Sequence, residues 1–280
     1  MSDIQKYTPN QLFSSEKVAR RFEKILGENA RGFVASVLQI INESDKLKKA
    51  DPESVYSAAM IAASLNLPIN PNLGFAYIIP YNIKNRGQVA QFQMGYKGYI
   101  QLAQRTGMYK TISAAAIYEG QLVSENPLTG FEFDFNVKSG DRVIGYAAYF
   151  KLINGFEKTS YMSIEDVEQH AIEYASTFHG IDNKKSYGNW VDNFDGMAKK
   201  TVLKLLLSKF GPLSVDMQTA IKVDQAEIKD VEGLEVNYID NQPDPQQPLN
   251  GRQPMDIQQP VVDEDTGEVM EDEPDDLPFK

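Results

Sequence analysis

Hydrophobic residues in the first third of the chain recur at the three- to four-residue spacing of helices that pack one face against a core. The segment SSEKVARRFEKILG begins with a serine cap, places Phe22, Ile25 and Leu26 at helical spacing and ends at Gly27. The segments FVASVLQIINESDKL and DPESVYSAAMIAASLNL repeat the pattern, and the second begins with Asp51 as its cap and a proline after it. The spacing therefore predicts a helical N-terminal third.

The period changes in the segments GFAYIIPY (74–81) and QVAQFQMGY (88–96), which are rich in aromatic and aliphatic residues. The linking sequence NIKNRG ends in residues typical of a tight turn and carries a lysine and an arginine. This pattern predicts a β-hairpin with a basic tip. The next segment, GYKGYIQLAQRTG (95–107), returns to helical spacing and ends at a glycine.

Three further segments resemble strands: FEFDF (131–135), VIGYAAYFKL (143–152) and EKTSYM (157–162). A helix is predicted at SIEDVEQHAIEYA, where Ser163 and Asp166 have the spacing of a capping box. The longest apolar-periodic segment, at residues 190–210, predicts another helix. These elements predict an α+β fold, with a small antiparallel β-sheet and its basic hairpin flanked by helices.

The last fifth of the chain differs in composition from the rest. From about Gly233 it is rich in Pro, Gln, Asp and Glu, and it has too few apolar residues to offset the entropy of ordering the chain. Residues 1–225 contain 25 Lys and Arg against 23 Asp and Glu, whereas the remainder contains 3 against 16. We therefore predict a nearly neutral folded domain at residues 1–232 and a disordered acidic tail at residues 233–280.

The residue types exclude several kinds of chemistry. Cys is absent, which excludes disulfides, thiolate nucleophiles and Cys-based metal sites, and the two histidines have no metal-site spacing. Because there is no apolar run of ~18 residues and no signal-peptide pattern, we expect a cytoplasmic protein without a membrane partner. One enzymatic alternative stays open. Glu132 and Asp134 share a face of a predicted strand and could hold magnesium in a metal-dependent nuclease, although a solvated edge strand explains them better.

Residues 54–118 contain no aspartate or glutamate, although the formal net charge of the chain is −11. The same 65 residues contain five cations: Lys84, Arg86, Lys97, Arg105 and Lys110. A surface without carboxylates and with scattered cations suits a polyanion. Aromatic residues are interleaved with the cations: Tyr77, Tyr81, Phe92, Tyr96 and Tyr99. Such rings can stack the bases of a single strand for ~1–3 kcal/mol per base, so this interval favours nucleic-acid binding.

Polar side chains share faces on the predicted elements. Gln91 and Gln93 point the same way on one strand. One face of the following helix carries Lys97, Gln101, Gln104 and Arg105. On the long predicted helix the candidates are Lys199, Lys200 and Lys204, with the last two placed one turn apart, opposite an apolar stripe. A solvated helix face explains these lysines as well as DNA binding does.

Three stretches, in this order, resemble the RecT family of phage and prophage single-strand DNA annealing proteins: ASLNLPINPNLGFAYIIPY, QFQMGYKGYIQLAQRTG and WVDNFDGMAKKTVLKLL. The middle stretch is the most specific, because it joins a Gln-bearing strand to GYKG and then to LAQRTG. The resemblance extends from the N-terminal helices to about residue 225. It departs at Asn66, where relatives often have glycine, and we expect only a local effect on the turn.

The resemblance implies an α+β protein that binds single-stranded DNA, brings in a complementary strand and holds the annealed duplex in a homo-oligomer or helical filament. It implies a non-enzymatic role in homologous recombination and DNA repair, with no ATP or other cofactor and with a phage exonuclease as partner. By position it carries DNA contact to Gln91, Lys97, Arg105, Lys199, Lys200 and Lys204. With the patterns above, the predicted DNA-binding residues are Lys84, Arg86, Gln91, Gln93, Tyr96, Lys97, Gln101, Arg105, Lys110, Lys199, Lys200 and Lys204.

The end of the chain, EPDDLPFK, looks like the acidic tip of bacterial single-strand binding proteins, which ends in Asp-Asp-X-Pro-Phe. The matching residues are Asp275, Asp276, Leu277, Pro278 and Phe279. Lys280 departs from the pattern, because partners of that tip are expected to grip a terminal Phe carboxylate. The resemblance predicts that host proteins that recognise the tip, or the exonuclease, bind this tail.

Overall fold

Helices occupy the first third of the chain, as the sequence predicts. The computed structural model describes residues 7–83, 86–126, 128–175 and 177–224, and the backbone of two later strands. Its first helices are α1 (Pro9–Phe13), α2 (Glu16–Leu26), α3 (Ala30–Glu43), α4 (Asp45–Lys48) and α5 (Pro52–Ser64). Two predicted caps are present, because Ser15 Oγ accepts from the Val18 N–H and the Asp51 carboxylate accepts from the Glu53 N–H.

The predicted β-hairpin is formed by β1 (Ala76–Ile83) and β2 (Gly87–Met94), which pair antiparallel from Ala76↔Met94 to Ile83↔Gly87. The free edge of β2 is tied to α5, since the Ala90 N–H donates to Ser54 Oγ at 2.8 Å. Lys84 and Asn85, at the tip, lie outside the described residues. The basic character of the tip therefore stays a prediction.

A three-stranded antiparallel sheet has the order β3 (Tyr109–Tyr118), β6 (Val143–Leu152), β7 (Glu157–Ser163). Between β3 and β6 the chain forms a second hairpin, β4 (Leu122–Asn126) with β5 (Gly130–Phe133). The rings of Phe131 and Phe133 lie 5.6 and 6.0 Å from that of Tyr161, so β5 packs on β7. The sequence patterns predicted β5, β6 and β7 but not β3 or β4.

The remaining helices are α6 (Tyr96–Arg105), α7 (Ile164–Tyr174), α8 (Asn189–Asp192), α9 (Phe194–Phe210) and α10 (Val215–Val223). The predicted capping box of α7 is confirmed, because Ser163 Oγ accepts from the Asp166 N–H while Asp166 accepts from the Ser163 N–H. The prediction of one helix at residues 190–210 is wrong at its start. The backbone leaves the helical region at Asn193, whose side chain accepts from the Gly196 N–H at 3.1 Å and caps α9.

α9 packs against α6 and against β3, β6 and β7. Two short strands follow α10: β8 (Ala226–Asp230) and β9 (Glu235–Tyr238), which pair antiparallel. β9 falls inside residues 233–280, which the sequence assigns to the tail, and the domain boundary at residue 232 stays a prediction. The alternating letters of LEVNY suit a strand, a signal that the low overall apolar content obscured. Residues 239–280 lie outside the described part of the chain.

The described helices and antiparallel sheets confirm the predicted α+β class. Within the ranges that the structure describes, no helix is both long enough and apolar enough to cross a membrane.

Candidate nucleic-acid interface

A cavity of about 310 Å³, which we call the cleft, opens between two walls of the structure. The first wall comprises residues 71–77 and 93–97, from the loop before β1, the end of β2 and the start of α6. The second wall comprises residues 189–200 of α8 and α9. Since the first wall belongs entirely to the carboxylate-free interval, the cleft is where that interval faces α8 and α9.

Two glycines of the GYKG motif bring α6 directly against the loop before β1. A Cβ atom on Gly95 would collide with the carbonyl oxygen of Gly74, and one on Gly98 would collide with that of Phe75. Any larger residue would push α6 away from this wall. The close approach places Tyr96, which is half-buried, and Lys97, which is exposed, at the cleft.

Gln93 connects the two walls. Its Nε2 donates to the Tyr81 hydroxyl at 2.6 Å, and its Oε1 accepts from Asn189 Nδ2 at 3.0 Å. Gln91, on the same face of β2, is fully buried, and neither of its amide atoms has a hydrogen-bond partner among the described residues. Both predicted DNA-contact glutamines of β2 therefore lie inside the protein. Gln93 fixes the walls relative to each other, and Gln91 does not reach the surface.

The phenol of Tyr77 lines the first wall beside Tyr96. Burial raises the pKa of Tyr77, and the neighbouring Tyr96 raises it further. Tyr77 is therefore protonated at neutral pH, so its hydroxyl can donate a hydrogen bond to a ligand.

Asp224, the residue after α10, accepts hydrogen bonds from three elements: β2, α6 and α9. Its carboxylate accepts from the Met94 N–H at 3.0 Å and from the Tyr99 hydroxyl at 3.3 Å. It also forms ion pairs with Lys200 at 2.8 Å and with Lys204 at 3.0 Å. Asp224 thus joins the end of β2 and α6, which carry the first wall, to α9, which carries the second.

The expectation that Lys200 faces solvent is wrong, because its side chain is only 4% exposed while that of Lys204 is 27% exposed. Burial lowers the pKa of Lys200, and Asp224 opposes that shift. Burial alone would raise the pKa of Asp224, but Lys200 and Lys204 together outweigh it and lower the pKa to about 2. Helical spacing could not reveal this cluster, since the neutralising carboxylate lies far along the chain.

Two other predicted contacts are engaged within the protein. The Arg105 guanidinium donates to the carbonyl oxygens of Leu65 and Asn66, both at 2.7 Å, and so satisfies the C-terminal end of α5. Lys199 pairs with Asp195 at 2.8 Å, one turn earlier on α9. Asp195 lines the cleft, and this lysine offsets its charge. DNA contact by either cation stays a prediction.

The model of the RecT family matches residues 31–237. The chain belongs to this family. It is 51% identical over 215 residues to uncharacterized protein YqaK of Bacillus subtilis (strain 168), covering 76% of this chain and 71% of that protein. It is 28% identical over 198 residues to protein RecT of Escherichia coli (strain K12), covering 67% of this chain and 68% of that protein. The resemblance inferred from the sequence is confirmed, and RecT-family membership supports single-strand annealing in recombination.

The other residues predicted for RecT-like DNA binding have separate positions. Lys97 and Tyr96 lie at the cleft, and Gln101 is half-buried on α6. Arg86, on the turn before β2, and Lys110, on β3, are exposed but do not line the cleft. Lys84 lies outside the described residues. The structure therefore brings some of the predicted residues together at one cleft and disperses the others.

The nuclease alternative gains no support. Asp134 lies beyond the end of β5, and its Oδ1 accepts from the backbone and the side chain of Asn136. Glu132 is exposed on β5. Across the described ranges, no group of three or more His, Asp or Glu residues could hold a metal ion.

The sequence patterns missed the amides of the cleft, Asn72, Asn189 and Asn193, and the buried Asp224. Isolated asparagines in turns give no periodic signal, since they are common turn and cap residues. The partners of Asp224 at Met94 and Lys204 lie 130 and 20 residues away along the chain, so no local motif marks it.

Proposed function

We propose that this RecT-family chain is an ATP-independent single-strand DNA-binding and annealing protein for homologous recombination, with the strand lying along the cleft. The observation that carries the proposal is the composition of the cleft. One wall comes from the carboxylate-free interval and presents Tyr77, Tyr96 and Lys97. On the other wall, Asp195 is paired with Lys199. A polyanion therefore meets little uncompensated negative charge there.

Annealing needs no nucleotide hydrolysis on energetic grounds. Pairing releases a mean of ~1.4 kcal/mol per base-pair step, so a product of about 20 pairs gains roughly 25–30 kcal/mol. The obstacles are phosphate repulsion between the strands and self-structure within each strand. Lys97 at the rim of the cleft reduces the repulsion, and a strand held extended by aromatic and amide side chains cannot fold on itself.

Assembly as a homo-oligomer or helical filament on DNA belongs to the same proposal. Residues 1–225 have 25 basic against 23 acidic side chains, so one subunit can neutralise few phosphates. Because single-strand affinity depends on the number of phosphates neutralised, tight binding requires neighbouring subunits along one strand.

The tail supplies the partners in this proposal. Asp275, Asp276, Leu277, Pro278 and Phe279, which lie outside the described residues, form the sequence that recruits tip-recognising host proteins or a phage exonuclease. The acidic residues of the tail also act as a tethered polyanion that competes with DNA at high effective concentration.

The test uses the full chain with two complementary labelled oligonucleotides. In EDTA, without ATP, we expect duplex formation to be faster than without protein, and we expect both strands to keep their length. Lys97→Ala should slow the reaction, whereas replacement of the exposed Asp216 of α10 by asparagine should not. If saturating wild-type protein leaves the rate of duplex formation at its protein-free value, the proposal is refuted. Shortening of the strands that requires magnesium would favour a nuclease instead.

A further inference from the structure

The side chains of the cleft have a composition that phosphate binding alone does not explain. Phosphate oxygens accept hydrogen bonds from Arg and Lys, from Asn, Gln and Tyr side chains and from backbone N–H groups, so a phosphate uses only donors. Beside Lys97 and Lys200, the cleft contains four carboxamides and two phenols: Asn72, Gln93, Asn189, Asn193, Tyr77 and Tyr96. Carboxamides both donate and accept hydrogen bonds, as the edges of nucleobases do. Phenol rings offer flat apolar faces.

The carboxamides divide into a fixed pair and an available pair. Gln93 and Asn189 bond to each other, and Gln93 also bonds to Tyr81, which makes them a rigid floor. Asn193 uses its Oδ1 to cap α9 but has no partner for its Nδ2 within the described structure. The exposed Asn72 side chain likewise makes no hydrogen bond to the described residues. Donors and acceptors therefore remain open in a preformed space.

We propose that the cleft receives one unstacked nucleobase of the bound strand, with its polar edge against Asn72 and Asn193 and its face against Tyr77 or Tyr96. Lys97 then contacts the neighbouring phosphate. The volume of about 310 Å³ lies at the lower end of the range for small-ligand pockets, about 300–1,000 Å³. This inference rests on the proposed function and adds the ligand group that the cleft recognises.

A base held in this way is bound with little sequence preference. The amide groups can turn to present a donor or an acceptor, and every base has a stacking face. Such a site anchors the first strand at one base per subunit, while the bases between anchors stay free for the incoming strand. Pairing with that strand then withdraws the anchored base.

The test separates base binding from phosphate binding with two strands of equal phosphate number. One is a normal oligothymidine, and the other has abasic sites throughout. We expect wild-type protein to bind the normal strand about tenfold more tightly, the equivalent of ~1.4 kcal/mol per site. The two strands should give the same slope of log affinity against log salt, because their phosphates are equal.

Two variants carry the assignment to the cleft. Asn72→Ala removes an exposed amide, and Asn193→Ser removes the second while keeping a hydroxyl that can cap α9. Together they should reduce the preference for the normal strand to the part that stacking on Tyr77 or Tyr96 supplies, and they should leave the salt slope unchanged. Lys97→Ala should do the opposite, lowering the slope and keeping the preference. Gln169→Ala, an exposed amide on α7 away from the cleft, should change neither.

Equal wild-type affinity for the two strands overturns the base site, as does a preference that stays at its full wild-type size in Asn72→Ala alone and in the double variant. The proposed function would stand in both cases if the protein still binds and anneals normal DNA. Absence of any single-strand binding by the wild-type protein would instead refute the proposed function itself.

Discussion

The carboxylate of Asp224 and the ammonium group of Lys200 form an ion pair of 2.8 Å with almost no exposure to solvent. Lys200 precedes α10 in the chain and Asp224 follows it, so the pair connects the end of that helix to the middle of α9. Lys204 gives the carboxylate a second cation at 3.0 Å, so the cluster has a net charge of +1. Lys200 also lines the cleft, so the same side chain belongs to the interior and to the candidate DNA site.

Replacing Asp224 should destabilise the fold strongly. Asp224→Asn keeps an oxygen for the Met94 N–H but leaves the buried Lys200 without a counter-charge. Removal of one partner of a buried ion pair costs about 3–5 kcal/mol, and we expect that loss in the free energy of unfolding by urea. Asp216→Asn, at an exposed position of α10, should change it by less than about 0.5 kcal/mol. If the two variants have equal free energies of unfolding, the stability of the fold does not depend on the charge of Asp224.

The same group predicts a dependence of stability on acid. Asp224 has a pKa of about 2 in the folded chain against an ordinary value of 3.8. A carboxyl group whose pKa is depressed by folding stabilises the fold above its unfolded pKa and loses this contribution as the pH falls towards its folded pKa. We therefore expect the free energy of unfolding of the wild type to fall between about pH 4 and pH 2 more steeply than that of Asp224→Asn. Parallel curves in this range would contradict the assignment.

Local signals of the sequence predicted the elements that depend on local chemistry. The caps at Ser15, Asp51 and Ser163 need only neighbours within three residues, and all three are present. The sequence patterns did not predict β3 because the small residues of ISAAA have a weak preference for strands. This segment is a strand because it pairs with β6 across an inserted hairpin, as at Ala114↔Ala148. Propensity cannot report a partner so distant in sequence.

The candidate site shows the same difference between features that depend on neighbouring residues and features that depend on distant contacts. The carboxylate-free interval and the GYKG motif both fall on the first wall of the cleft, since both are features of one continuous stretch. The second wall was marked by its lysines, yet Lys200 is buried beside Asp224. Periodicity places residues on a helix face, but it cannot tell whether that face meets solvent or another part of the chain.

Lys97 and Arg105 should separate DNA contact from folding. Lys97→Ala removes an exposed cation at the cleft, so we expect weaker binding to single strands and a salt slope lower by about 0.7, with unchanged stability. Arg105→Ala removes two hydrogen bonds to the end of α5, so we expect a loss of about 1–3 kcal/mol in the free energy of unfolding. Salt titrations and urea melts of both variants give the comparison. A reduced salt slope in a stable Arg105→Ala variant would show that this arginine contacts phosphate.

Self-association on DNA follows from the near-neutral folded domain. We expect light scattering at saturating protein to give several subunits on one strand, with the mass rising with oligonucleotide length. The mass should fall back as salt is raised, since the strand is what brings subunits together. A mass that stays at one subunit per strand at every length would contradict the proposed assembly.

The tail prediction separates recruitment from mere solvation. Residues 233–280 account for all of the net negative charge of the chain, and their tip matches the single-strand binding protein pattern from Asp275 to Phe279. Deletion of residues 239–280, which spares β9, should leave annealing in vitro intact or faster at low salt, because a tethered competitor of DNA is removed. It should reduce recombination in cells, where partners are needed.

Phe279→Ala keeps every charge and removes only the aromatic anchor, so a purely solvating tail predicts no effect. We expect this variant to lose binding to tip-recognising proteins and to recombine as poorly as the deletion, while Leu277→Ala, at the variable position of the pattern, should retain both. If Phe279→Ala binds those proteins and recombines at wild-type levels, the tail acts through its charge alone.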